Sequence, residues 1–227
     1  MKNFCRKTFF ASIASVAFFA LVPYAHAARF IAIPTAETLP TGRISLWQFG
    51  LYEKRGTKDW RSLNRLDLGL ADGLEFGLFV INPKDKPSDA WVNLEYRPFK
   101  EKGLLPHAAF GVWDAARKGD WFSHRNSGPS PFISLSKTFS RGGRYLKTGA
   151  SYGFNRLNGF FGGAELRFLK DSGLFAEYAP KNLRLTKAGA FDIGVYRWLG
   201  KSWRARASWM GGNPMVDVFF TYLLGSK

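Results

Sequence analysis

The sequence predicts an all-β fold, a transmembrane antiparallel up-and-down β-barrel of about twelve strands, and three observations carry that reading. Apolar and polar residues alternate with a period of two in short segments along the chain, as they do on the two faces of a strand. Aromatic residues reach 17% and glycine 24 residues, with no helical periodicity after Ala28. The connections between segments alternate between tight turns and longer loops, the build of an outer-membrane barrel.

The N-terminal residues are set apart first. Lys2, Arg6 and Lys7 precede an apolar run from Thr8 to Val22, and Ala25-His26-Ala27 has the small-x-small form that signal peptidase cleaves. Residues 1–27 are therefore expected to be a cleaved signal peptide, and residues 28–227 the barrel domain. The run is shorter than the ~20 apolar residues a spanning helix requires. Cys5, the single cysteine, precedes it. The mature chain is thus expected to carry no disulfide, no thiolate metal site and no cofactor.

Residues 28–41 contain Pro34 and Pro40 and read as a short extended lead-in. Strands are predicted at Arg43–Tyr52, Arg61–Leu70, Leu74–Ile81, Ala90–Arg97, His107–Trp113 and Phe132–Phe139, then at Tyr145–Phe154, Phe160–Leu169, Leu174–Tyr178, Ala188–Trp198, Trp203–Met210 and Met215–Leu224. The alternation is clean in several of them. Leu66, Leu68 and Leu70 oppose Arg65, Asp67 and Gly69, and Leu74, Phe76, Leu78 and Val80 oppose Glu75 and Gly77. Trp203, Ala205, Ala207 and Trp209 oppose Arg204, Arg206 and Ser208, and Val216, Val218, Phe220 and Tyr222 oppose Asp217, Phe219 and Thr221. The first and sixth strands are mixed on both faces.

A soluble barrel with its greasy face inward has the same period, so the polar faces decide the orientation. They carry Arg65, Arg97, Lys147, Arg167, Arg204 and Arg206 against Asp67, Glu75, Glu95, Glu165, Glu177, Asp192 and Asp217. That near-balance fits a paired network in an enclosed lumen, where an unpaired charge costs several kcal/mol. Trp47, Tyr96, Trp198, Trp203, Trp209 and Tyr222 lie towards strand ends, where a belt at lipid headgroups is expected. The Phe220-x-Tyr222-x-Leu224 ending has the alternating aromatic–apolar form read by the barrel assembly machinery, although Gly225-Ser226-Lys227 follow it. Inward Gly69, Gly77, Gly149, Gly153, Gly163 and Gly194 together with Trp91, Trp113 and Phe175 predict an occluded lumen or a narrow pore. The loop Asp114–Pro131, with Arg117, Lys118, His124 and Arg125, is either a mobile solvent loop or a basic gate.

Pro34-Thr35-Ala36-Glu37-Thr38-Leu39-Pro40-Thr41-Gly42, Leu94-Glu95-Tyr96-Arg97-Pro98 and Phe175-Ala176-Glu177-Tyr178-Ala179 resemble segments of YjbH-like outer-membrane proteins, with Ala179 where that family usually has Asp. The resemblance implies an outer-membrane barrel with an accessory role, in exopolysaccharide export or surface organisation, and it carries over no catalytic residue.

The formal net charge of +16 invites a nucleic-acid partner. The secretion signal and the absence of a basic helix argue against one, and leave phosphate-bearing lipids or lipopolysaccharide as the anionic neighbours. Lys181, Arg184 and Lys187, in one predicted outer loop, are the candidate contacts for anionic glycolipid or polysaccharide. Three functional classes follow: a non-enzymatic accessory barrel, a narrow solute pore, and a lipid hydrolase or acyltransferase. For the last, the candidates are His124 beside Ser123, Asn126 and Ser127, a set whose adjacent members seldom reach catalytic geometry.

Overall fold

The computed structural model describes residues 34–52, 60–82, 89–115, 129–179 and 191–223. The predicted signal peptide, the loop of Arg117 to Ser127 and the Lys181–Lys187 cluster lie outside the described residues. Twelve antiparallel strands close into one barrel. They are β1 (Arg43–Tyr52), β2 (Trp60–Ala71), β3 (Leu74–Asn82), β4 (Asp89–Phe99), β5 (His107–Trp113) and β6 (Ser130–Arg141), followed by β7 (Arg144–Gly153), β8 (Gly159–Arg167), β9 (Ser172–Tyr178), β10 (Phe191–Trp198), β11 (Trp203–Met210) and β12 (Asn213–Leu223).

Each strand pairs with its sequence neighbours, and β1 closes the ring on β12, from Arg43 opposite Leu223 to Leu51 opposite Met215. Closure leaves no edge strand with unpaired backbone groups. The tight connections β2–β3, β6–β7, β8–β9 and β10–β11 share one end of the barrel with the start of β1 and the end of β12. The predicted strands all correspond to observed ones. β10 is described from Phe191, and residues 188–190, where its start is predicted, lie outside the described residues.

The alternation resolves into an inside and an outside. Arg65, Asp67, Glu75, Glu95, Arg204, Arg206 and Asp217 are buried within the ring, while Leu70, Leu94, Phe110, Ile133, Leu135, Leu166, Ile193, Val195, Val216 and Val218 are exposed around it. Leu66, Leu68, Phe76 and Leu78 share this outer face and are half-buried by their neighbours. The polarity is therefore inverted relative to a soluble protein, in which charged groups are seldom fully buried.

Two expectations are corrected. Trp47 and Trp198 are not on the outer wall; they are buried in the interior. On β1 the inward set is Ser45, Trp47 and Phe49, and Trp47 stands opposite Arg65 on one side and Phe219 on the other, both inward. Strand-end position does not decide the face; parity with the neighbouring strands does. Tyr96, Trp203, Trp209 and Tyr222 do lie on the outer face. Tyr152, Phe154, Phe160, Tyr178 and Phe191 join them there, in ring pairs 4.9 to 5.3 Å apart. The second correction concerns the lead-in. Residues 34–39 are buried inside the barrel.

Candidate functional site in the barrel interior

The interior is built in layers from the inward parity of every strand. At the end with tight connections, the lead-in enters the ring and the charged side chains close around it. Lys147 Nζ donates to Glu37 Oε2 at 2.6 Å, and Leu39 N–H donates to Glu75 Oε2 at 2.8 Å. The lead-in then turns out through Arg43 N–H to Pro40 O at 3.1 Å and docks on β2 through Gly42 N–H to Gly69 O at 2.9 Å. A Cβ at Gly69 would run into the Pro40 carbonyl oxygen and lie 2.9 Å from that of Leu39, so only glycine lets the chain pass here.

Arg65 Nε donates to both carboxylate oxygens of Asp67, at 2.7 and 2.9 Å, and Arg206 Nε meets Asp217 at the same two distances. The first pair lies along one strand, two residues apart on the same face; the second is a cross-strand register pair. Both are buried, where charge pairing offsets the cost of removing the ions from water. Glu165 accepts a short hydrogen bond from Tyr145 and lies 3.7 Å from Arg204.

Arg204 is 1% exposed and is held mainly by rings. Its guanidinium lies 5.1 to 5.6 Å from the ring centres of Phe219, Trp198, Tyr196 and Trp47. Arg206 lies over Trp47 at 4.6 Å and Phe175 at 5.4 Å. A desolvated cation over an aromatic face gains ~2 kcal/mol, so this cage takes the place of some of the hydrogen bonds Arg204 lacks. The rings continue as a curved file: Trp198–Phe219–Trp47–Phe49–Phe79–Trp91–Trp113, with neighbouring centroids 4.6 to 6.2 Å apart.

The remaining candidates from the sequence fall around this centre. Glu95 is buried beside Glu75 and Asn93, and Trp113 and Phe132 pack around the same spot and leave no cavity large enough for water. Glu177 and Asp192 are opposite one another in the β9–β10 register at the end with longer connections, and Asp192 Oδ1 accepts the Gly211 N–H at 2.8 Å. Arg97 and Arg167 sit half-buried near the tight-turn rim, Arg167 4.5 Å from the Tyr145 ring centre. His107 Nδ1 accepts the Glu101 backbone N–H at 2.9 Å. Among the described residues no group of three His, Cys, Asp or Glu is placed to hold a metal ion.

The sequence reading does not single out Glu37, Leu39, Tyr145 or Tyr196 as interior contacts, nor the Arg204 cage. Its available signal was the pairing of small inward residues, Gly69 and Gly77, with a lead-in carrying one acidic residue. Small residues on adjacent inward positions leave room that some other segment must fill.

No family model matches the chain, and no curated protein matches it.

Proposed function

We propose that this chain is an integral outer-membrane barrel with a closed interior, non-enzymatic, and accessory to the export of exopolysaccharide or the organisation of the cell surface. The observation that carries the membrane part is the inverted polarity. A ring of exposed Leu, Ile, Val and Phe on the outside encloses buried Arg–Asp pairs. In water such a wall would far exceed the few hundred Å² of contiguous apolar surface a soluble monomer tolerates. Lipid tails solvate it without that penalty, and a closed barrel satisfies every strand's backbone internally. Aromatic pairs near both rims fit the headgroup level.

The accessory role is supported by the YjbH-like segments, which fall at structurally central places. The Pro34–Gly42 segment is the one threaded into the barrel, and Glu95 and Glu177 of the other two segments point inward. The same reading assigns outer-membrane lipids, lipopolysaccharide and the barrel assembly machinery as partners. Insertion is tested by membrane fractionation and a heat-modifiability gel. The chain is expected in the outer-membrane fraction, migrating faster unboiled than boiled; recovery as a soluble periplasmic protein defeats the proposal. The accessory role is tested by the surface polysaccharide of a deletion strain, and an unchanged polysaccharide rejects it.

A second reading, a gated solute pore, is favoured by one observation. The segment filling the tight-turn end is irregular chain lying inside the strand ring, bonded to the wall through Glu37 and Leu39. Its displacement would open that end.

A further inference from the structure

The turn between β4 and β5 has an arrangement that closing a barrel does not require. After a register shift between Tyr96 and Phe99, the chain makes its own miniature hairpin, with Lys102 N–H to Leu105 O at 3.2 Å and Leu105 N–H to Lys102 O at 3.0 Å. Gly103 takes the left-handed φ of 57° at its tip. The hairpin is pinned from below. Lys137 Nζ bonds to Glu101 Oε1 at 2.9 Å, to Leu105 O at 3.4 Å and to Gly103 O, and Thr138 N–H donates to Glu101 Oε2 at 3.1 Å.

Lys137 follows Ile133 and Leu135 on the outward parity of β6. Its bonds therefore seat the hairpin against the outer wall near the rim. This bonded framework presents Leu104 at 93% exposure and Leu105 at 68%, next to Phe99 at 67%. Phe99 pairs with Ala108 and continues the outward column of Tyr96 and Phe110, whose rings are 5.4 Å apart. Lys102 within the hairpin, and Arg141 and Arg144 in the β6–β7 turn at the same end of the barrel, are exposed. Apolar tips continuous with a greasy wall, with exposed cations at the same end, match the boundary between acyl chains and phosphates.

We propose that the hairpin of residues 99–105 is a lipid-interface anchor: Leu104 and Leu105 enter the headgroup–acyl boundary of the leaflet at the tight-turn end, and Lys102, Arg141 and Arg144 meet its phosphates. The inference rests on the membrane reading proposed above. Insertion of such apolar side chains reaches ~5–10 Å into the boundary.

The test uses the full chain with Cys5→Ser, so that an introduced cysteine is unique. Leu104→Cys, and separately Leu135→Cys at the middle of β6 on the outer wall, carry an environment-sensitive fluorophore. Each protein is reconstituted into vesicles of phosphatidylethanolamine and phosphatidylglycerol, with a nitroxide either near the headgroup or near the chain terminus. The expected result is a blue-shifted label at residue 104 that loses most intensity to the shallow nitroxide, and a label at residue 135 that loses most to the deep one. A residue 104 label open to aqueous iodide, beside a residue 135 label quenched from within the bilayer, overturns the anchor and leaves the membrane reading standing. If neither label is quenched by lipid nitroxides, both readings fall. Both native side chains are exposed, so neither substitution removes core packing.

Discussion

Glu37 and Lys147, 110 residues apart in the chain, meet at 2.6 Å inside the barrel. One comes from a segment that precedes the first strand and the other from the seventh. Their ion pair ties an irregular peptide to the inner wall at the end where the tight connections gather. The barrel is thus filled partly by the segment that precedes β1 as well as by strand side chains.

The segment held by this contact is expected to make the intact chain a poor conductor. In planar bilayers the full chain is expected to give little or no current. Removing residues 34–40, or forcing them out with Gly69→Val, should produce discrete openings. The valine acts from β2, where a Cβ collides with the Pro40 carbonyl, and leaves the lead-in sequence untouched. Silence from both variants, each still heat-modifiable, would show that side chains alone close the lumen and would reject the gated-pore reading.

The Arg206–Asp217 pair gives a stability prediction. Asp217→Ala leaves a buried guanidinium without its carboxylate and should cost about 3–5 kcal/mol. Replacing both partners together with apolar residues should recover most of the loss, because no orphaned charge remains. Denaturant unfolding in lipid vesicles, followed by tryptophan emission, measures both. A double variant as unstable as the single one contradicts the assignment of the loss to an uncompensated charge.

Glu101 supplies the pH dependence. Desolvation, the largest single influence, pushes its carboxyl up. The hydrogen bonds from Lys137 and the Thr138 N–H, with the charges of Lys137 and His107, outweigh it and hold the group below the usual carboxylate range. A carboxyl depressed in the folded state adds stability above its unfolded pKa, and that contribution disappears as pH falls through the folded value. The Thr138 amide should therefore lose hydrogen-exchange protection on acidification, once the intrinsic rate change is removed, while Glu101→Gln should abolish that pH dependence. Equal pH dependence in both proteins would remove Glu101 as the cause.

The basic cluster of the β9–β10 connection gives a binding prediction. Changing Lys181, Arg184 and Lys187 together to Gln should weaken association with lipopolysaccharide at low salt, and the difference should shrink at high salt as the charges are screened. Vesicle co-sedimentation reads the change. Unaltered binding dismisses these residues as the contact.

Strand number, order and outer face were legible because a two-residue period leaves the same record whether or not neighbours are known. Leu66, Leu68, Phe76 and Leu78 share a side with little ambiguity, as do Arg204 and Arg206. The faces of Trp47 and Trp198 were not legible, because their strands mix apolar residues on both sides and a Trp suits either an interfacial belt or a packed interior. The path of the lead-in was hidden for another reason. Two prolines and no alternation describe any extended peptide, and what threads Pro34–Leu39 into the ring is space beside Gly69 and charge on Lys147.

The sequence alone determined a closed antiparallel ring of about twelve strands, and which side chains share a face within most strands, since both follow from periodicity along a single chain. The tertiary structure alone decided which charges touch, which aromatics surround Arg204, and that the segment before β1 fills the interior. Those outcomes depend on cross-strand register and on volume left by distant residues, quantities that exist only once the ring has closed.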